Sequence, residues 1–201
     1  MCIRDSFYLY LVMDIYSRKI VGFEVHETQT SEHAAVMITK ICKKESVCPE
    51  QLTLHSDNGK PMKGATMLAT LQRLGVVPSF SRPSVSDDNP FSESLFKTLK
   101  YCPKFPTKPF ASTLVASSWV LDFVQWYNEE HLHSGIRFVT PASRHRGEDL
   151  NQLVIRNEVY TEAKLKHPAR WSGNTRNWTH VKKVFLNCLN RKERSCSKEA
   201  A

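Results

Sequence analysis

The chain has 201 residues, 41% hydrophobic and 24% charged, with 28 Lys and Arg against 20 Asp and Glu for a net charge of +8. This suits one globular domain plus a tail, and the basic excess points to a polyanionic partner. No apolar run reaches membrane-spanning length and Met1–Ser6 lacks a signal-peptide core, so we expect no membrane and a cytoplasmic location. The charge is unevenly spread. Residues 151–201 hold 11 Lys and Arg against 4 Asp and Glu, a net +7, which leaves +1 for the first 150. Six cysteines, at 2, 42, 48, 102, 188 and 196, form no Cys-x-x-Cys pair and read as free thiols rather than a disulfide framework or a zinc site.

Phe7–Met13 reads as a buried strand, Tyr16-Ser17-Arg18-Lys19 as a turn with solvated basic residues, and Ile20–Val25 as the returning strand. Thr30 or Ser31 caps a helix from Glu32 to about Lys44, with Ala34, Ala35, Ile38, Ile41 and Cys42 inward. Gln51–His55 is a short strand stopped by Ser56-Asp57-Asn58-Gly59, a turn signal that sets Asp57 at a strand end. Lys60 and Lys63 follow in a loop. Ala65–Leu74 is a helix closed by Gly75, and Val76–Phe80 is a short strand near an edge, given Pro78.

Ser81–Asp88 is a polar loop. Asn89 then caps a helix, with Pro90 in its first turn, that runs at least to Lys100 on an apolar stripe of Leu95, Phe96 and Leu99. Three prolines make Tyr101–Phe110 an extended connector. Ser112–Glu130 reads as a long helix with Val115, Trp119, Phe123, Trp126 and Tyr127 inward, and Thr140-Pro141 opens a short helix to about His145. A charged helix, Leu150–Lys166, precedes a stretch in which Arg170 and Arg176 alternate with Trp171 and Trp178. Such interleaving suits phosphate contact and base stacking, and equally a packing unit whose Trp side chains dock on the core. Val181–Leu189 reads as a last strand, and Arg191–Ala201 as a disordered charged end.

Two acids carry candidate chemistry. Asp57 sits at the C-terminal end of a strand, where sites of open α/β sheets lie. Glu93 sits in the first turn of a helix and shares a face with Lys97 and Lys100. Carboxylates so placed can converge on Mg²⁺, a hard cation that prefers oxygen, and two such ions clamp the attacking and leaving oxygens of a phosphodiester. Lys97 and Lys100 would hold the DNA backbone beside them. Lys60 and Arg82 are further candidates for phosphate. Taken singly, Asp-Asn-Gly is an ordinary turn, Glu93 with Lys97 an ordinary ion pair, and Asp87 and Asp88 ordinary acids at a helix start.

The spacing adds to this. Asp57-Asn58-Gly59, 35 residues, then Glu93 with Lys at +4 and +7 resembles the catalytic core of retroviral integrases and of the DDE transposases of orfB-type bacterial insertion elements. Leu11–Gly22, His55–Gly59, Asp88–Ser94, Trp126-Tyr127-Asn128, His133–Ile136 and Thr140-Pro141 carry the likeness. It implies an α/β RNase H-like mixed sheet flanked by helices over 7–149, after a leader at 1–6 and before a basic extension at 150–201. It implies Mg²⁺ (or Mn²⁺) on Asp57 and Glu93, DNA element ends and target DNA as partners, a homo-multimer, and transposition by phosphodiester cleavage and strand transfer. It also implies a first catalytic Asp on a strand upstream of Phe7–Met13, which nothing in 7–201 matches. Asp14 lies on the second strand of the pattern, which is not the ligand position, and Asp5 matches nothing. The chain is therefore expected to be N-terminally truncated, and the alternative to a transposase is a DNA-binding fragment without chemistry.

Overall fold

The computed structural model describes residues 2–3, 7–82 and 88–186. The chain divides into two compact units, one of Met1–Met13 with Ile20–Phe123, the other of Asp14–Lys19 with Val124–Ala201.

In the first unit, β1 (Cys2–Ile3), β2 (Phe7–Met13) and β3 (Ile20–His26) form an antiparallel sheet in that order. Sequence reading assigned no element to Cys2–Ile3, too short to carry a pattern; it pairs with Tyr8 and Phe7. Helix α1 (Ser31–Lys44) starts where expected, because the Thr30 hydroxyl accepts the His33 amide. Its buried face of Ala34, Ala35, Met37, Ile38, Ile41 and Cys42 packs in one core with Tyr10, Val21, Met67, Leu71 and Val76. Cys42, Cys48 and Cys102 are free thiols.

A second, parallel pair joins β4 (Leu52–Ser56) to β5 (Val76–Phe80), with His55 opposite Ser79 and Ser56 opposite Phe80. Two helices make the crossover. The first, α2 (Lys60–Lys63), is a short turn of helix in what the sequence reads as loop, begun by Pro61 at a position that needs no amide donor. The second, α3 (Ala65–Leu74), has the predicted bounds and ends on Gly75 at φ 65°. A side chain there would be strained twice over, by the left-handed backbone and by an added Cβ at 2.7 Å from Pro49 Cβ.

Helix α4 (Pro90–Lys100) buries Leu95 and Leu99. Its N-cap differs from expectation, since the Asn89 side chain makes no capping hydrogen bond. Helix α5 (Thr113–Glu129) buries Phe123 and Tyr127 as the predicted stripe has them, but not its first member. Val115 is 49% exposed, and the buried positions are Ala116, Val120, Phe123 and Tyr127. Trp119 lies to one side, its ring near Phe105 and Phe110 and its Nε1 donating to the Lys104 carbonyl.

In the second unit Thr140 caps α6 (Pro141–His145), and α7 covers Asp149–Lys166. Ile136, Val139, Leu153 and Trp178 form its core. Trp178 is thus a packing residue, 6% exposed, with Tyr160 edge-on at 5.1 Å and the Arg156 and Arg176 guanidinium groups over its ring. Residues 181–186 form no strand, and the Val181 carbonyl accepts from the Arg144 side chain. The remainder of that predicted strand, and Arg191–Ala201, lie outside the described residues. Arg18 is also not the solvated residue expected. It is 8% exposed, in a turn that carries it at φ 69° among Tyr127, Arg144 and Asp14. Burial pushes the Tyr127 hydroxyl up to about 12, against the pull of Arg18.

Candidate active site

Asp57 follows β4 directly and is exposed. Its Oδ1 accepts the Gly59 amide at 3.1 Å, a local turn that turns the carboxylate back over its own backbone. Gly59 fits because an added Cβ would stand 2.9 Å from that same oxygen and displace it. Next to Asp57, the Asn58 side-chain amide donates to the Ser81 carbonyl at 2.7 Å, and the Ser81 amide donates to the Ser56 carbonyl at 3.0 Å. The end of β4 is thereby tied to the segment leaving β5.

His55 extends the tie to α4. Its Nε2 lies 3.1 Å from the Asp88 carbonyl, and its Nδ1 lies 3.0 Å from the Ser79 hydroxyl. A carbonyl only accepts, so Nε2 carries the proton and Nδ1 accepts from Ser79. Asp88 is 2% exposed and clasped by Arg82. The Arg82 amide donates to Oδ2 at 2.7 Å, its Nε to Oδ2 at 2.9 Å, and its Nη2 to Oδ1 at 2.6 Å. Hydrogen bonds from the Arg82 side chain and backbone hold the Asp88 carboxyl down at about 2. Asp88 is therefore committed to Arg82 rather than open to a metal. Arg82, read from sequence as a phosphate contact, spends Nε and Nη2 on this pair while its side chain stays 57% exposed. Asp87 lies outside the described residues.

Glu93 is exposed in the first turn of α4, its amide bonded to the Asn89 carbonyl at 3.2 Å. Lys97 and Lys100 are exposed on the same face, away from buried Leu95 and Leu99. Among the described residues neither Asp57 nor Glu93 pairs with a basic side chain, so the ordinary Glu93–Lys97 ion pair, the alternative reading of that spacing, is not formed. Lys60 is exposed at the start of α2, and Lys63 lies over the Phe80 ring at 5.0 Å. No group of three or more His, Cys, Asp or Glu among the described residues is arranged to hold a metal. The donors present, two exposed carboxylates without a basic partner, nevertheless have the oxygen chemistry that Mg²⁺ or Mn²⁺ takes.

The remaining candidates lie in the second unit. Arg170 is exposed at the end of a 3-10 turn, Pro168–Arg170, whereas Arg176 rests on the Phe138 ring at 4.6 Å. Asp14 organises its own turn, accepting from the Tyr16 and Ser17 amides and from the Ser17 hydroxyl at 2.5 Å. Burial works to raise its pKa, and these hydrogen bonds overcome that and lower it. His133 caps the 3-10 turn Ser134–Ile136 by accepting the Gly135 amide. Burial, then the charges of Arg18 and His131, push its imidazole down to about 4. Unfolded His133 takes a proton near pH 6.5 while the folded one resists until about pH 4. Stability is thus expected to be full above pH 6.5 and to fall as pH drops from 6.5 to 4. Melting temperatures over that range should decline, and His133→Asn should flatten the decline.

The sequence alone does not announce the joint of His55, Ser79, Arg82 and Asp88, beyond a His two positions before Asp57 as a usable signal.

Among known proteins, two family models described as integrase core domain match, one over residues 2–86 and the other over 74–141. The transposase for insertion sequence element IS904 of Lactococcus lactis subsp. lactis (strain IL1403) is 28% identical over 139 residues, 69% of this chain and 54% of that protein. The chain thus spans about half the length of this relative. A simian T-cell lymphotropic virus intasome, solved with the PP2A regulatory subunit B56 gamma, aligns with TM-score 0.54 at 14% identity, over 70% of this chain and 49% of its own. The catalytic core domain of BIV integrase aligns with TM-score 0.50 at 16% identity, over 75% of this chain and 93% of its own. These likenesses give the fold as the mixed α/β, RNase H-like architecture of integrase catalytic cores. With the matched segments running from residue 2 to residue 141, the chain belongs to the integrase core family, among the DDE transposases of insertion-sequence type.

Proposed function

We propose that the chain supplies the acidic centre of a DNA cleavage and strand-transfer reaction, with Asp57 and Glu93 as ligands of Mg²⁺ (or Mn²⁺). The observation that carries this is the joint between the end of β4 and the entrance of α4, with an exposed carboxylate on either side of it. A bound divalent ion supplies activation of the attacking oxygen and neutralisation of the leaving one. Asp57 and Glu93 offer it oxygen ligands. Lys97 and Lys100 hold the phosphate backbone along the outer face of α4, and Lys60 does so beside Asp57. The exposed remainder of Arg82, with Arg170 and Arg176 in the second unit, adds phosphate contacts. Water attacks the phosphodiester at an element end in line and frees its 3′-hydroxyl, which then attacks a target phosphodiester and releases a target 3′-hydroxyl, so one P–O bond forms and one breaks in each step. The substrates are element ends and target DNA, the working form is a homo-multimer on DNA, and the compartment is the bacterial cytoplasm. Among the described residues no helix is long and apolar enough to cross a membrane.

The test measures Mn²⁺ binding and Mg²⁺-dependent joining of oligonucleotide ends for the parent chain, Asp57→Ala and Glu93→Ala. Outer-shell partners alone are worth about 10- to 100-fold in metal affinity, so loss of either ligand is expected to cost at least that. DNA retention should persist, because the lysines remain. Parent-like cation affinity in both variants sinks the reading. The alternative is DNA binding without chemistry, in keeping with the lack, among the described residues, of a group of three or more His, Cys, Asp or Glu arranged to hold a metal. Its signature is retention of DNA by all three proteins with no joined product from any.

A further inference from the structure

The acids assigned above sit on elements that the chain does not connect closely. His55 is the penultimate residue of β4, and Asp88, 33 residues later, stands two residues before α4. Asp57 is two residues past His55, and Glu93 is five past Asp88, just over one helical turn. Helix α4 is pinned along its inner side by Leu95 and Leu99, 3% and 0% exposed. At its N-terminus the usual restraint is missing, because Asn89 makes no side-chain cap bond. The fastening falls to Asp88, whose carbonyl lies 3.1 Å from His55 Nε2 and whose carboxylate is clasped by Arg82. The imidazole is itself held in one orientation by Ser79, on the strand parallel to its own. A planar ring bonded at both nitrogens is a spacer of fixed length.

We infer that His55 is a positioning residue which, together with the Arg82–Asp88 pair, sets the separation of Asp57 and Glu93 on which cation binding depends. This rests on the reading of those two acids as ligands. His55 touches neither DNA nor cation in this role. It acts through the Asp88 carbonyl, and a glutamine, whose carboxamide N–H reaches about as far as Nε2, should replace it in part, whereas alanine should not.

The experiment titrates Mn²⁺ into the full 201-residue chain and into His55→Ala, His55→Gln, Arg82→Gln, Asp57→Ala and Glu93→Ala, and follows hydrogen exchange at the Glu93 amide. His55→Ala is expected to weaken Mn²⁺ binding on the order of 10-fold and to speed that exchange. His55→Gln is expected to recover most of both, and Arg82→Gln to weaken binding in the same direction with its side chain at the surface. If His55→Ala and Arg82→Gln bind like the parent while Asp57→Ala and Glu93→Ala do not, the positioning role is wrong and the ligands stand. If Asp57→Ala and Glu93→Ala also bind like the parent, the ligand reading falls and takes this inference with it. Should His55→Ala fail to fold, Arg82→Gln decides. A folded His55→Gln no better than alanine overturns the hydrogen-bonded spacer.

Discussion

Replacing Arg144 with alanine is expected to cost about 3–5 kcal/mol of folding stability, the range for removing one partner from a buried ion pair. The side chain is fully enclosed and serves three parts of the second unit at once. Its Nε donates to the Tyr16 carbonyl at 2.8 Å, its Nη2 to the Val181 carbonyl at 2.6 Å, and its Nη1 lies 3.5 Å from Asp149 Oδ2. Its guanidinium also stacks on the Tyr16 ring at 4.2 Å. Alanine would leave two carbonyls unsatisfied and leave Asp149, 2% exposed on its side chain, with His180 at 3.0 Å as its remaining ionic partner. Lysine should rescue little, since its three N–H donors leave from one nitrogen and cannot span acceptors that Arg144 meets through Nε, Nη1 and Nη2. The double change Arg144→Met with Asp149→Leu should cost less than Arg144→Ala, because it removes both charges together. Urea unfolding followed by tryptophan fluorescence measures all of these. A loss below about 1 kcal/mol for Arg144→Ala would mean the network contributes no more than an exposed pair.

Trp178→Ala should be nearly as severe, about 3–5 kcal/mol, as for a large aromatic removed from a packed core. Ile136, Val139 and Leu153 lose their common contact, and Arg156 and Arg176 lose the ring they cover. The loss is expected in unfolding experiments on protein alone, with DNA absent. Unchanged stability combined with a drop in DNA affinity would instead return Trp178 to the base-stacking role that the sequence also allowed.

Where local chemistry decides, the chain was readable. Thr30 before an apolar period of 3.6 marks α1, Gly75 after Leu74 ends α3, and Thr140-Pro141 begins α6. The exposed face holding Glu93, Lys97 and Lys100 was readable through helical periodicity. What was not readable depends on partners far away in sequence. Arg18 and Lys19 look like any polar turn, and nothing nearby announces that Arg18 is buried. Arg82 and Asp88 are close in sequence, but a polar loop containing both gives no sign of which charges pair. On α5 the predicted Phe123 and Tyr127 are buried, but Ala116 and Val120 take the inner positions of its first half while Val115 is exposed, and the Trp119 indole bonds the connector's Lys104 carbonyl, a preference no periodicity contains. Val181 and its neighbours have strand composition, yet the Val181 carbonyl is claimed by a side chain from α6.

The hairpin turn at Asp14–Lys19 belongs with residues beyond 123, while the strands on either side of it belong with the first unit. Ser17 and Tyr16 meet His145 and Arg144 only after 128 further residues have been made. At roughly 5–20 residues per second on the ribosome, that is a wait of about 6–26 s. Throughout it the growing polypeptide carries a turn whose acceptors are served by water, so the hairpin can close early but its tip is completed among the last events of folding.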